Sequence, residues 1–497
     1  MNKKKGTVFT VIWFIQLIVE AVMAVLLLRL NMLPTKYFAV LVVLLVLAAI
    51  ITRVLMRPKA GKWEKKSGKA KRSVGCVLSL IVIAVCAVAS HAVFTLNNTF
   101  AAITNNNVSA VVGVYVLADD PAESIQDAAG YTFSVMDSYD AEAVEKAVAN
   151  IEKDLGTELT VRDYDTTFDM VDALYAQEVN AIILSESYID VLESMDGYSD
   201  FSDRTRLLDT HIVEKRIDEA ANEVLAAVKD PTKEPFLLYI SGNDARRELL
   251  ADGGSDVNIL VAVNPEAKQI LMVNTPRDYF VANPAGDGAK DKLSLCGLYG
   301  IENSMGAMTQ LYGQPISYYA KINFTGFKTL VDALGGVTVY SDVAFTAGAT
   351  EIRAGENHLN GTQALAFARE RKNLAGGDNT RGKNQMKLIA AMINQLSAGN
   401  LLSNYSQILG SREGMFATNM SMDTISSLVK MQLSDMASWD ILSFAVTGDN
   451  GKDAPYSQGG LYAYVMYPHD DMVAKASDLM GRVLNGEVLT EADLAVS

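Results

Sequence analysis

Five cationic side chains crowd into the stretch ALAFARERKNLAGGDNTRGKNQ, at residues 364–385. They are Arg369, Arg371, Lys372, Arg381 and Lys383. If the backbone around Glu370 is extended, Arg369 and Arg371 point to one face. The Gly376–Gly377 pair then permits a turn that brings Arg381 back beside them, ahead of a helix that presents Lys383 and Gln385 in its first turns. So many planar guanidinium groups suit the oxygens of a phosphate.

Carboxylates and further arginines adjoin three apolar runs. FLLYISG (236–242) leads into Asn243-Asp244, Ser255-Asp256 precedes VNILVAVN (257–264), and QILMVNT (269–275) leads into Pro276-Arg277-Asp278. Since α/β proteins usually place their chemistry at strand ends, Asp244, Asp256 and at least four arginines are expected to converge. Two carboxylates with many arginines fit a pyrophosphate with a magnesium ion. For any single arginine, a surface ion pair remains the simpler interpretation.

Other chemistries have little support. The four histidines are scattered, and no Gly-x-Ser-x-Gly stretch is present to hold a nucleophilic serine. Cys296 follows a strand-like stretch and is expected to be packed in the core. The acidic pairs Asp119-Asp120 and Asp163-Asp165 are interpreted as solvated turns in preference to calcium ligands.

Three apolar runs near the N-terminus, at residues 7–30, 37–56 and 74–95, are each long enough to cross a bilayer as a helix. Lys3, Lys4 and Lys5 precede the first run, and eight Lys and Arg lie between Arg57 and Arg72. The positive-inside rule therefore predicts a cytoplasmic N-terminus, a cytoplasmic basic loop at 57–72 and an extracytoplasmic remainder.

The charge of the chain is divided unevenly. Residues 1–96 hold 14 Lys and Arg and two Glu, a net charge of +12. Since the whole chain carries −15, the other 401 residues carry −15 − 12 = −27. An acidic bulk of that size repels nucleic-acid phosphate, so no nucleic-acid partner is expected.

The chain beyond the third span shows two α/β units. Residues 97–230 alternate strands (111–118, 131–136, 158–164 and 179–184) with helices (141–155 and 167–177), and no motif there indicates chemistry. From residue 231, the strands at 236–242, 257–264 and 269–275 are almost wholly apolar, which indicates a sheet covered on both faces. Further elements are strands at 321–324 and 336–341 and helices at 327–334, 361–370, 383–397 and 422–433. The expected architecture has three layers: helix, sheet, helix.

Three blocks closely resemble, in order and spacing, the signatures of the LytR-CpsA-Psr family: SDVNILVAVNPEAKQILMVNTPRDYFV, YYAKINFTGFKTLVDALGGVTV and LNGTQALAFARERKNLAGGDNTRGKNQ. The three spans and the preceding α/β unit fit members of the CpsA type. The resemblance implies a three-layer α-β-α catalytic domain with a mixed central sheet at 231–470 and a C-terminal tail at 471–497. The accessory domain would cover 97–230, and the membrane anchor 1–96.

The resemblance also implies a function. Family members transfer a glycopolymer, such as capsule or teichoic acid, from an undecaprenyl-pyrophosphate carrier to peptidoglycan and release undecaprenyl phosphate, with magnesium (or manganese) at the pyrophosphate. Asp244 and Asp256 would be the metal ligands. The pyrophosphate ligands would be Arg277, Lys292, Arg369, Arg371, Arg381 and Gln385, and Arg277, Asp278, Arg369 and Arg371 would be catalytic. Asp278 is a candidate base by adjacency. Two alternatives use the same pocket: a lipid pyrophosphate hydrolase, and a non-catalytic regulator that binds the lipid carrier.

Overall fold

In the computed structural model, the described residues are 2–57, 66–104, 107–136, 141–216, 225–243, 253–396 and 415–495. The chain divides into two compact units. One comprises Met1–Ala102, Ser397–Gly410 and Ser421–Ala437, and the other comprises Ile103–Leu396, Ser411–Met420 and Ser438–Ser497. The region predicted as an accessory domain therefore belongs to the same compact unit as the catalytic domain.

The first unit contains three long apolar helices, Asn2–Leu30, Thr35–Met56 and Lys66–Ile103. Their candidate membrane spans are Val8–Leu30, Thr35–Met56 and Ala70–Asn98, as predicted to within a few residues. A polar chain joins the first helix to the third: Ser79 Oγ donates to Gln16 Oε1 at 2.6 Å, and Gln16 Nε2 donates to Glu20 Oε1 at 2.8 Å. A buried carboxylate among apolar helices thus has a hydrogen-bond donor.

A fourth helix, Met422–Asp435, also belongs to this unit. Lys36 Nζ donates to the carbonyl of Ser434 at 2.9 Å, and Lys430 Nζ donates to Asn31 Oδ1 at 3.0 Å. The contacts tie this helix to Asn31, in the short connection between the first two spans, and to the first turn of the second span.

The second unit is built on two mixed sheets. The smaller one consists of β1 (Asn107–Leu117), β2 (Thr132–Met136), β3 (Thr160–Tyr164), β4 (Ala181–Ser185) and β5 (Thr205–Arg216). Across this sheet the strand order is β3-β2-β4-β1-β5. The larger has the order β16-β11-β6-β7-β8-β17 and consists of β6 (Phe236–Asn243), β7 (Val257–Asn264), β8 (Gln269–Asn274), β11 (Tyr318–Asn323), β16 (Phe416–Thr418) and β17 (Asp440–Ala445).

Four two-stranded ribbons supply the other strands of the described residues. They pair β9 (Phe280–Ala282) with β10 (Lys290–Lys292), β12 (Val337–Ser341) with β15 (Gly355–Leu359), β13 (Phe345–Ala347) with β14 (Thr350–Ile352), and β18 (Gly448–Asp453) with β19 (Ala463–Pro468). The main helices of this unit are Ala141–Leu155, Thr167–Tyr175, Ile301–Tyr312, Phe324–Ala333, Gly361–Arg369, Gly377–Gln395 and Asp470–Leu484.

The directions of three neighbouring strands bring the predicted site residues to one edge of the large sheet. β7 is antiparallel to both β6 and β8, so the chain leaves β6, enters β7 and leaves β8 at the same end. Gly242 pairs with Val257, and Asn274 pairs with Ile259. Asp256 therefore lies beside the end of β6, and Arg277 follows the end of β8 by three residues. The convergence predicted from the strand exits is present for these residues.

Helices cover both faces of this sheet, as expected from its apolar strands. Alternate residues of β6, β7 and β8 share a core with Ile301–Tyr312 and Asp470–Leu484, while Gly377–Gln395 contacts β7, β8 and β17. All of β8 and all but the first residue of β7 are buried. The three-layer prediction for the catalytic part is confirmed.

The C-terminal segment is not a separate tail, and that prediction is wrong. Asp470–Leu484 is a helix, and its Ala476, Leu479, Met480 and Val483 are fully buried in the core of the large sheet. The sequence pattern does carry this signal, because these residues recur at helical spacing. Removing them would open the core to water.

Leu479→Ala is expected to lower the free energy of unfolding by about 2–5 kcal/mol, because it leaves a cavity in a fully packed layer. The measurement is the apparent unfolding temperature of the full chain in detergent. Val488→Ala is the matched control, since Val488 is 62% exposed. Equal behaviour of the two variants would contradict this placement of the helix.

Candidate active site

A buried polar network fixes the turn that carries Asp256. Tyr239 donates to Asn258 Oδ1 at 2.5 Å, Asn258 Nδ2 donates to the Ser255 carbonyl at 2.9 Å, and the hydroxyls of Ser241 and Ser255 lie 2.8 Å apart. The Asp256 N–H donates to the Gly242 carbonyl at 2.7 Å. Complete burial raises the pKa of Tyr239 to about 12, so its hydroxyl remains a hydrogen-bond donor. The network leaves the Asp256 carboxylate at the sheet edge.

Arg277 lies between two carboxylates. Its Nη1 donates to Asp256 Oδ1, and its Nε lies 3.6 Å from Asp278 Oδ2. Burial lowers the pKa of Arg277, but the neighbouring charges of Asp256 and Asp278 outweigh burial and the net shift is upward. Arg277 therefore stays cationic at every accessible pH.

Lys292 adds a second cation on the far side of Asp278. Its Nζ lies 4.0 Å from Asp278 Oδ1. Burial lowers the pKa of Lys292, and the attraction of Asp278 opposes that shift without cancelling it. The position of Lys292 is held from behind by Asp291, which is completely buried and accepts hydrogen bonds from Asn283, from the backbone and hydroxyl of Ser457, and from the Lys292 N–H.

The cationic stretch adopts nearly the predicted shape. A capping box between Asn360 and Gln363 starts the helix Gly361–Arg369, and the backbone is extended at Glu370. Gly376 and Gly377 have φ of 86° and 51°, the left-handed conformations that favour glycine. The next helix begins at Gly377, six residues before the predicted start, so Arg381 lies within the helix.

Asp378 in the first turn of that helix is a site residue that sequence reasoning missed. Arg381 Nη2 lies 2.5 Å from Asp378 Oδ1. Burial raises the pKa of Asp378, and Asp278 raises it further, whereas Arg381, Arg277 and Arg371 lower it. Burial likewise lowers the pKa of Arg381. The ion pairs of Arg277 with Asp256 and Asp278, and of Arg381 with Asp378, thus alternate cations with carboxylates, and the charge of Arg371 also acts on Asp378. Its position directly after the glycine pair, at the start of the helix, could have identified Asp378 from the sequence.

The remaining predicted site residues have other surroundings. The guanidinium of Arg369 lies over the ring of Phe324, 4.6 Å from its centroid. Gln385 is buried, and its Nε2 donates to the Ala368 carbonyl at 3.3 Å, which joins the two helices of the stretch. Asp244 lies outside the described residues. Cys296 is packed in the core as expected.

The oxygen ligands at the cavity suit a divalent cation. Among the described residues, no group of three or more His, Cys, Asp or Glu is placed to hold a metal ion. Asp256 lines the cavity with carboxylate oxygens, which are the ligand type that Mg²⁺ prefers, and Mg²⁺ commonly uses one or two carboxylates with substrate phosphates. The donor set therefore fits an ion that is completed by a phosphorylated ligand.

A cavity of about 510 Å³ opens beside these residues. From the catalytic part, its lining includes Asn243, Asp256, Arg277, Asp278 and Lys292. From the accessory region, the lining includes residues 185–187, 189–191, 193 and 194. No motif in the accessory region indicated chemistry, so its contribution to the cavity was not predicted. The residues that meet at the cavity are distant in sequence, and a local pattern cannot show that they meet.

Comparisons with known proteins identify the family of the chain. The model of the LytR_cpsA_psr family matches residues 206–474. A polyisoprenyl-teichoic acid–peptidoglycan teichoic acid transferase TagU of Bacillus mycoides is 32% identical over 235 residues, which cover 47% of this chain and 76% of the relative. The TagU of Enterococcus faecalis is 33% identical over 39% of this chain and 65% of its own length. The crystal structure of B. subtilis TagV is 26% identical, covers 51% of this chain and 98% of TagV, and superposes with a TM-score of 0.43. The chain belongs to the LytR_cpsA_psr family.

Proposed function

We propose that this membrane enzyme transfers a teichoic-acid-like or capsular glycopolymer from undecaprenyl pyrophosphate to peptidoglycan and releases undecaprenyl phosphate. The observation that supports it most is the alternation of Arg277, Lys292 and Arg381 with Asp256, Asp278 and Asp378. Of these residues, Arg277, Lys292, Asp256 and Asp278 line the cavity. The names of the TagU relatives, which describe transfer of teichoic acid to peptidoglycan, support the same reaction.

The reaction is a substitution at phosphorus. A peptidoglycan hydroxyl attacks the phosphorus that bears the sugar, a new phosphodiester bond forms, the P–O–P bond breaks, and undecaprenyl phosphate leaves with the bond's electron pair. Arg277, Arg371, Arg381 and Lys292 would neutralise the developing charge and hold the pyrophosphate. Asp278, which lines the cavity, would accept the proton of the attacking hydroxyl. Arg369 and Gln385 would support the pocket from its helical side.

A Mg²⁺ ion (or Mn²⁺), when bound, would stabilise negative charge on the pyrophosphate oxygens. Asp256 would hold it, together with Asp244. The Asp256–Arg277 ion pair would then serve to place the carboxylate before the substrate arrives.

The activity test uses the full chain in phospholipid nanodiscs with a short-chain prenyl-pyrophosphate saccharide, Mg²⁺ and peptidoglycan fragments, with products followed by mass spectrometry. Arg371→Ala is expected to lower the yield of the sugar-phosphate-peptidoglycan adduct by two orders of magnitude or so, since it removes a charge-assisted phosphate contact. Lys372→Ala is the matched control, because both side chains are exposed and adjacent.

The products separate the alternatives. Free sugar phosphate without an adduct would identify a hydrolase, and absence of turnover with retained lipid binding would identify a regulator.

Chelation of the metal is expected to abolish adduct formation. Adduct that still forms in the presence of the chelator would refute the role given to Mg²⁺.

The pH dependence provides a second prediction. Because burial lowers the pKa of Lys292, its charge is lost at a lower pH than that of an ordinary lysine, and the rate is expected to fall on the alkaline side as the cation disappears. In Lys292→Arg the guanidinium keeps its charge, so the alkaline limb should move to higher pH. An unchanged alkaline limb in the pH profile of kcat/KM would exclude Lys292 as the titrating group.

A third prediction concerns the orientation of the chain in the membrane, which follows from the distribution of Lys and Arg. A periplasmic-type reporter fused after residue 100 is expected to be active outside the cytoplasm, whereas the same reporter fused at residue 62, in the basic loop, is expected to be inactive. The reverse pattern would place the catalytic part in the cytoplasm and rule out the proposed reaction.

A further inference from the structure

We propose that residues 185–194 of the accessory region, here called the accessory wall, bind the hydroxyl-rich saccharide acceptor and position it for transfer. This inference rests on the proposed function and adds to it the side of the cavity that receives the acceptor. The accessory region would thereby act in substrate selection.

The accessory wall is firmly joined to the catalytic fold. Tyr188 is buried, and its hydroxyl donates to the Ser457 carbonyl at 3.3 Å. Gln458 Nε2 donates to Ser194 Oγ at 3.4 Å. Tyr188, Val191 and Leu192 share an apolar core with Leu295 and Leu298, the residues that follow Lys292 and Ser294 along the chain. A wall that shares a core with the site keeps a fixed position beside it.

The accessory wall and the catalytic part contribute charges of opposite sign to the cavity lining. The accessory wall contributes Glu186, Asp190 and Glu193, whereas the catalytic side contributes Arg277 and Lys292. The phosphates of a donor are attracted to the two cations of the catalytic part. The carboxylates of the accessory wall suit a neutral group better than a second anion.

The polar groups on the wall side are mostly hydrogen-bond acceptors. Besides the three carboxylates, the lining includes the hydroxyls of Ser185, Ser187, Ser194 and Ser202. Glu193 Oε1 accepts a hydrogen bond from the Ser202 N–H at 3.3 Å, and a carboxylate retains further lone pairs for other donors. Sugar hydroxyls are donors of this kind, and they carry no charge that the wall would repel.

A separate observation points to a missing donor. Gln458 lines the same cavity and is 1% exposed, and its Oε1 has no hydrogen-bond partner among the described residues. A buried amide oxygen without a donor costs free energy unless a ligand or water supplies one. A saccharide hydroxyl in the cavity would supply it. The volume of about 510 Å³ lies within the range usual for small-molecule sites.

The test compares Asp190→Asn/Glu193→Gln with wild type, as full chains in nanodiscs. The amides keep the side-chain size but remove two charges and half of the acceptor capacity. We expect KM for soluble peptidoglycan glycan strands to rise on the order of tenfold, with kcat and KM for the lipid-linked donor changed less than twofold. Glu145→Gln, on the exposed face of the helix Ala141–Leu155, is the control and should leave all three constants unchanged.

Two results would overturn the inference. An unchanged acceptor KM in the double variant would remove the accessory wall from acceptor binding. An equal loss in donor KM or kcat, or a lowered unfolding temperature, would show a structural or donor-binding role.

Equilibrium binding of the same glycan strands to wild type and variant separates this inference from the proposed reaction. If wild type hydrolyses the donor without forming an adduct, the proposed reaction fails, yet weaker glycan binding by the double variant alone would still support the wall. Equal binding by the two proteins would exclude it, whatever the reaction.

Discussion

The site depends on the alternation of like charges with opposite ones in a partly buried space. Arg277, Arg381 and Lys292 would repel one another if they shared the same low-dielectric region without counter-charges. Asp256, Asp278 and Asp378 lie between them, and each contacts at least one cation. The cations are therefore assembled before any ligand arrives, and an anionic ligand could take over contacts that the carboxylates make in its absence.

The backbone makes this alternation possible. Two antiparallel pairings place three chain segments at one sheet edge, and a buried network around Tyr239 fixes the turn at Ser255-Asp256. Met466 of β19 donates its N–H to the Asp278 carbonyl at 2.7 Å, which holds the following segment in place. Hydrogen bonds that are satisfied away from solvent are costly to break, so the carboxylates keep their places while the ligand changes.

Sequence reasoning succeeded where the signal is local. The helix Ala141–Leu155 was predicted with its observed bounds because its apolar residues repeat at helical spacing, and the three spans follow from uninterrupted apolar runs. It was less accurate at Gly377, because glycine is a poor helix former and its use as a helix start depends on the left-handed turn before it. β5 and the ribbon β18–β19, with polar and aromatic residues in place of strict alternation, were not predicted. The role of the accessory region in the cavity depends on a contact between residues near 190 and residues near 295, and no local pattern contains that information.

The apolar core that Tyr188, Leu192 and Phe201 share with Leu295 and Leu298 has a consequence for how the second unit can be divided. Domains that evolve as exchangeable modules usually meet at polar surfaces that tolerate separation. Here, excision of residues 107–216 would expose aliphatic side chains of the catalytic part to water and favour aggregation. The two sheets are thus expected to melt in a single cooperative step. Insertions or deletions in the accessory region are expected to need compensating changes around residues 295–298.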